Sequence, residues 1–188
     1  METENEREAV RNNILVAYFS WSGNAKTVAE QIAQETGGDL CEIRTVNAYP
    51  KVYDECVAVA KDELQRNARP VLAETVNDAN IQQYNVLFLC YPNWWSTIPM
   101  GVCTFLESCD TTGKTVYPVV MHGGSKFGNS LGDIKKLCPN AIIGKGIDIS
   151  AFSRSAKAVE SESATEKIAL NSDVTAWLNA IGNVGNDK

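Results

Sequence analysis

The chain has 188 residues, 44% hydrophobic and 21% charged, an ordinary globular composition that argues against whole-chain disorder and fits one domain, or two small ones. Lysine and arginine number 17 against 23 acidic residues, a net charge of -6. That balance argues against nucleic acid or an anionic membrane as partner, and suits docking on a basic protein surface.

Residues 1–12 are polar and charged and read as an extension; they lack the apolar core of a secretory leader, so the expected location is cytoplasmic. No apolar run is long enough to span a bilayer. Residues 13–188 read as a single domain. Residues 13–19 (NILVAYF) predict a buried strand. Residues 25–36 predict a helix with Val28, Ala29, Ile32 and Ala33 on one face, ended by Gly37 and Gly38. A second strand is expected over 39–45 and a helix over 54–67, which Arg69-Pro70 ends. Residues 70–83 are polar and irregular.

Residues 85–91 (NVLFLCY) form a continuous apolar run, as expected of a central strand covered on both faces. Thr97 is placed to cap the next helix, with Pro99 in its first turn and an end near Ser108. A fourth strand is expected over 114–121, a partly helical stretch over 126–137, and a fifth strand over 141–149. The 153–166 stretch, rich in Ser, Ala and Glu, fits either helix or loop, and 173–181 predicts a closing helix. Alternating strands and helices predict a doubly wound parallel sheet with helices on both faces, because parallel neighbours need crossover connections. In such sheets ligands bind at the carboxyl ends of the strands.

The six cysteines contain no CxxC pair, and the single histidine, His122, is not near one in sequence. Free thiols and no metal site are therefore expected.

Three loops at the expected ligand edge carry chemistry. The first, Ser20-Trp21-Ser22-Gly23-Asn24-Ala25-Lys26-Thr27, joins a strand to a helix. It offers hydroxyls, a flexible glycine and free helix amides, a phosphate cradle at a terminus carrying about half a positive charge. A P-loop would need glycines where Ala25 and Ser20 stand. The plainer alternative is a simple strand–helix turn. The second loop, Tyr91-Pro92-Asn93-Trp94-Trp95-Ser96-Thr97, holds adjacent indoles that suit stacking on a planar ring, although one of them can pack as core. The third, His122-Gly123-Gly124-Ser125-Lys126-Phe127-Gly128, allows close backbone approach to a flat ligand. His122 reads as a ligand contact, a proton relay or simply a polar loop residue, and a lone histidine is weak evidence for catalysis.

The segments YFSWSGNAKTVAEQIA, AYPKVYDECVAVAKDEL, YPNWWSTIPMGVCTFLES and HGGSKFGNSLGDIKKLCPNA resemble the flavodoxins, especially those whose third-strand loop carries YPxWW. The resemblance runs from residue 14 to about 150, and the last helix also fits. It implies a flavodoxin-like three-layer α/β fold with a five-stranded sheet in the order 2-1-3-4-5. It implies FMN held without a covalent bond, its phosphate on Ser20, Ser22, Gly23, Asn24 and Ala25. The ring would lie between the second and third loops, near Pro92, Asn93, Trp94, Trp95, Ser96, His122, Gly123, Gly124, Phe127 and Gly128.

Two positions depart from the family pattern. Ala25 stands where the phosphate loop usually has Thr, and removes one hydroxyl contact. Ser96 stands where Gly is common, and a side chain there limits movement of the peptide near the flavin. The resemblance implies a redox protein, first a flavodoxin-type electron carrier that docks on a partner protein by charge and has no catalytic residue of its own. An NAD(P)H- or quinone-dependent oxidoreductase is the alternative, and a flavin-free binding module on the same fold is the third reading. The lack of a second nucleotide motif favours the carrier.

Overall fold

A computed structural model describes residues 13–74, 81–150 and 164–182. Strand β1 (Ile14–Tyr18) is buried along its whole length, because five consecutive apolar side chains need cover on both faces. It pairs in parallel with β2 (Asp39–Glu42) on one side and β3 (Val86–Pro92) on the other. β4 (Thr115–His122) lies next to β3, with Val86 opposite Thr115. β5 (Ile142–Ile143) and β6 (Ile147–Ser150) both pair in parallel with β4. The order is 2-1-3-4-5, as the resemblance implies, with β6 also on β4.

Helices α1 (Asn24–Thr36) and α5 (Ala164–Ala180) lie on one face of the sheet. There Val28 and Ile32 of α1 and Trp177 of α5 meet Val16 and Phe88 of the strands. On the other face α3 (Met100–Glu107) and α4 (Ser130–Leu137) bring Phe105, Leu106 and Ile134 against Leu87 and Leu89. α2 (Tyr53–Gln65) buries Cys56 and Ala60 and packs Leu64 against this second core. Burying such side chains stabilises the fold by about 1.5–3 kcal/mol each. Among the described residues no helix is long and apolar enough to cross a membrane. All six cysteines are free thiols.

The fifth strand is split, and the cause sits in β4. Val116 accepts the amide of Gly144, so residue 116, and by strand alternation residue 118, faces the β5–β6 side. Residue 118 is Pro, which has no N–H to give, and the ladder stops between Ile143 and Ile147. Thr97 does not cap α3. Pro99 holds the residue before it in an extended conformation, the helix starts at Met100 behind it, and Thr97 Oγ1 donates to Asp133 instead (2.6 Å). β2 is shorter than expected. Past Ile43, whose amide still donates to Tyr18 O, the chain leaves the sheet, and Thr45 makes an antiparallel bridge to Leu72. α5 starts earlier than expected because Ala164, Glu166, Lys167, Ala169 and Leu170 are strong helix formers. The extension over 1–12 and most of the 153–166 stretch lie outside the described residues.

Candidate functional site

The loop after β1 is shaped by Gly23, which adopts φ 91° at the start of α1. A left-handed residue there turns the chain so that the first amides of the helix, which have no partner within it, face outward. No side chain caps them, and the space where a Cβ of residue 23 would stand is open. Thr27 is occupied within its own helix: its hydroxyl and its amide both bond Gly23 O, at 3.2 and 3.0 Å. Ala25 is buried in the core, so its backbone amide alone is on offer. Ser20 Oγ is buried and has no hydrogen-bond partner.

The loop after β3 is a two-residue hairpin. Trp94 and Thr97 exchange backbone hydrogen bonds at 2.9 and 3.1 Å. The central residues, Trp95 and Ser96, have φ 52° and 65°, a conformation usually filled by Asn-Gly. Each left-handed residue costs about 1–2 kcal/mol. The turn separates the two indoles. Trp94 points inward and packs edge-on against Phe19 and Tyr49, with ring centroids 5.2 and 5.1 Å away. Tyr49 is itself fixed by donating to Glu63 Oε2 at 2.7 Å, and burial, followed by that bond, pushes its phenol pKa up. Trp95 points outward, 46% exposed. Its indole N–H donates to Val57 O at 3.2 Å, and Lys61 Nζ lies 5.2 Å from its ring.

The loop after β4 is bonded directly to this hairpin. Asn93 Nδ2 donates to Lys126 O at 2.7 Å, and the Asn129 amide donates to Ser96 O at 2.6 Å. Gly128 has φ 54°, and a Cβ on it would stand 2.5 Å from Ser96 O. Ser130 Oγ, held by Tyr91, donates to Phe127 O. His122 is buried and bonds Asp148 and the Gly124 amide. Asn93 Oδ1 is buried without a partner.

Between the hairpin and α2 lies a cleft of about 280 Å³, walled by Trp21, Tyr53, Cys56, Val57 and Ala60 opposite Asn93, Trp94 and Trp95. That volume is near the lower end for small-molecule sites. Trp21 is held by its indole N–H on Pro50 O (2.8 Å) and leans on Tyr53. Burial pushes the Cys56 thiol pKa up, so it stands in the wall as a neutral group. A wider basin of about 740 Å³ adjoins Ser20, Trp21 and Ser22 on the side of Tyr49 and Lys51.

The structure therefore brings the first two loops together across one cleft. The third loop reaches it through the Asn93–Lys126 bond, while Gly123, Gly124 and Phe127 are not among its walls. Trp21, Tyr53, Cys56, Val57 and Ala60 were not foreseen as site residues, although all lie in the segments that carry the resemblance. Their one signal in the sequence was Trp21, a large aromatic set between two serines of a phosphate-type loop.

The donor set fits a phosphorylated flavin. A neutral hydroxyl and free helix amides suit a phosphate. An unpaired carbonyl oxygen on Asn93 suits a ring N–H, and flat indoles suit a ring face. Among the described residues, Ser20 Oγ and Asn93 Oδ1 are the buried side-chain atoms left unpaired, and both belong to these loops.

The sequence model of the flavodoxin family matches residues 13–162. A candidate flavoprotein from Bacteroides eggerthii has the same fold at TM-score 0.70 and 30% identity, over 90% of this chain and 97% of that one. A second, from Bacteroides uniformis, matches at TM-score 0.67 and 27% identity, over 80% of this chain and 99% of that one. A Lactobacillus acidophilus flavoprotein solved in complex with FMN matches at TM-score 0.61 and 18% identity, over 79% and 97%, which is a likeness of fold. No curated protein matches the chain significantly.

Proposed function

Since the chain belongs to the flavodoxin family, we propose that it binds FMN without a covalent bond and works as a redox protein, foremost as an electron carrier. The observation that carries this reading is the pair of unpaired buried atoms, Ser20 Oγ and Asn93 Oδ1, on two loops that share an aromatic cleft. A buried polar group without a partner costs about 1–3 kcal/mol, a cost that a ligand bonding both atoms would remove. The FMN complex of the Lactobacillus relative adds support.

FMN, when bound, supplies the reversible one- or two-electron chemistry. The chain's share is holding and shielding it. Ser20, Ser22 and the amides of Asn24 and Ala25 would hold the phosphate, with Gly23 giving room. Trp95 and Trp21 would cover the ring, and Asn93 Oδ1 would accept from a ring N–H. The acidic residues Asp54 and Glu55, in the first turn of α2, stand exposed on the helix that walls the cleft, and suit a basic partner protein. An NAD(P)H- or quinone-dependent oxidoreductase is the second reading. It is favoured by the exposure of Tyr53 and Trp95 beside the cleft, where a planar substrate could stack.

The test is an FMN titration followed by absorption, then anaerobic NAD(P)H addition. Stoichiometric binding supports the cofactor, and failure to take up FMN overturns it. Bleaching by NAD(P)H with recovery on a quinone would favour the oxidoreductase. Ser20→Ala gives an internal check of opposite signs. Removing an unpaired buried hydroxyl should raise the stability of the FMN-free protein by about 1 kcal/mol in urea denaturation. It should also weaken FMN roughly tenfold, the worth of a hydrogen bond to a charged phosphate.

A further inference from the structure

His122, the single histidine of the chain, ends β4 and is 6% exposed. Its Nδ1 accepts the Gly124 amide at 2.9 Å. A ring nitrogen that accepts carries no proton, so the proton is on Nε2, which donates to Asp148 Oδ1 at 3.0 Å. Strand register sets up this contact. Val120 faces Asp148 and His122 faces Ser150, so Asp148 lies diagonal to His122 on the same side of the sheet.

The two bonds have different fates when the ring gains a second proton. The link to Asp148 survives, because Nε2 still donates to a carboxylate. The link to Gly124 does not, because Nδ1 becomes a donor facing a donor. The neighbouring polar groups are otherwise engaged. Tyr91 on β3 is bound to Ser130, Asp133 on α4 to Thr97 and Lys136, and Lys135 to the carbonyls of Pro139 and Ala141. Lys126, in the loop itself, is exposed. Asp148 is the charged side chain bonded to the imidazole.

The Gly124 bond bends the exposed Gly123–Gly124 backbone at the start of a loop whose Lys126 carbonyl then holds Asn93 Nδ2. An amide held at its nitrogen cannot flip, so Asn93, a residue of the cleft wall, keeps its buried oxygen as an unpaired acceptor. We propose that His122 is a positioning residue, which as the neutral Nε2–H tautomer enforced by Asp148 fixes the 122–126 loop and through it the acceptor oxygen of Asn93. Its effect on the flavin rests on the FMN reading; the hydrogen-bond relay does not.

The experiment has two arms. In ¹⁵N-labelled protein without FMN, a nitrogen–nitrogen coupling between the Gly124 amide and His122 Nδ1 is expected. Absence of the coupling overturns the proposal. The second arm compares the FMN affinities of the wild type, His122→Asn and His122→Leu. Asn can accept from Gly124 and Leu cannot, so His122→Leu should lose roughly fivefold in affinity, the worth of one hydrogen bond, and His122→Asn should keep most of it. Equal affinities of the two variants overturn the proposal. Uptake of no FMN, with the coupling present, supports the relay and defeats the cofactor reading instead.

Discussion

Trp94→Ala should destabilise the FMN-free protein by about 3 kcal/mol, while its neighbour Trp95→Ala should cost less than about 1 kcal/mol. The two indoles are adjacent in sequence, yet the hairpin sends one into the core and one to the surface. Trp94 closes an edge-on cluster with Phe19 and Tyr49, and its loss leaves a cavity beneath the loop. Trp95 gives up one long hydrogen bond and a cation–π contact, both at the surface. FMN binding should rank the variants differently. Losing the exposed ring in Trp95→Ala should weaken FMN roughly tenfold to a hundredfold, by analogy with base stacking. Urea denaturation and a flavin titration of both variants check this. Equal losses of stability, or a Trp95→Ala protein that binds FMN as tightly as wild type, would refute the division of labour.

Gly128→Ala should cost about 2–4 kcal/mol, and Gly132→Ala, four residues on, should instead stabilise by about 0.5–1 kcal/mol. The chemical change is the same single methyl group. At Gly128 the backbone is left-handed and the new Cβ would stand 2.5 Å from the Ser96 carbonyl, the oxygen that accepts from Asn129. The seam between the second and third loops would have to open. At Gly132, within α4, the space is clear, and alanine lowers the entropy lost on forming the helix. Thermal or urea unfolding of the two variants reads the difference. Shifts of the same sign in both would mean that the seam does not hold the loops together.

The strands and helices of this protein were legible in the sequence because they rest on periodicity, whereas the strand order came from the family resemblance. Apolar runs such as VLFLCY can be buried only on both faces, and the spacing of Val28, Ala29, Ile32 and Ala33 marks one face of a helix. The glycine turn after β1 was legible for a related reason, since its geometry is local: Gly23 and the start of α1 are neighbours in the chain. Even the break in the fifth strand had a trace in the sequence, Pro118 within β4, but reading it required knowing which strand that residue faces. The rest was decided by contacts between segments distant in sequence. Nothing in the pair Trp94-Trp95 says which ring turns inward; Tyr49 and Phe19 on one side and Val57 on the other decide it. Thr97 is a good helix cap by type, yet Asp133 takes its hydroxyl. The α2 wall of the cleft and the tautomer of His122 likewise depend on strand register and helix docking. Local patterns set which elements form, whereas the orientation of a side chain on a loop is chosen by whichever distant partner pairs its polar atoms or buries its ring.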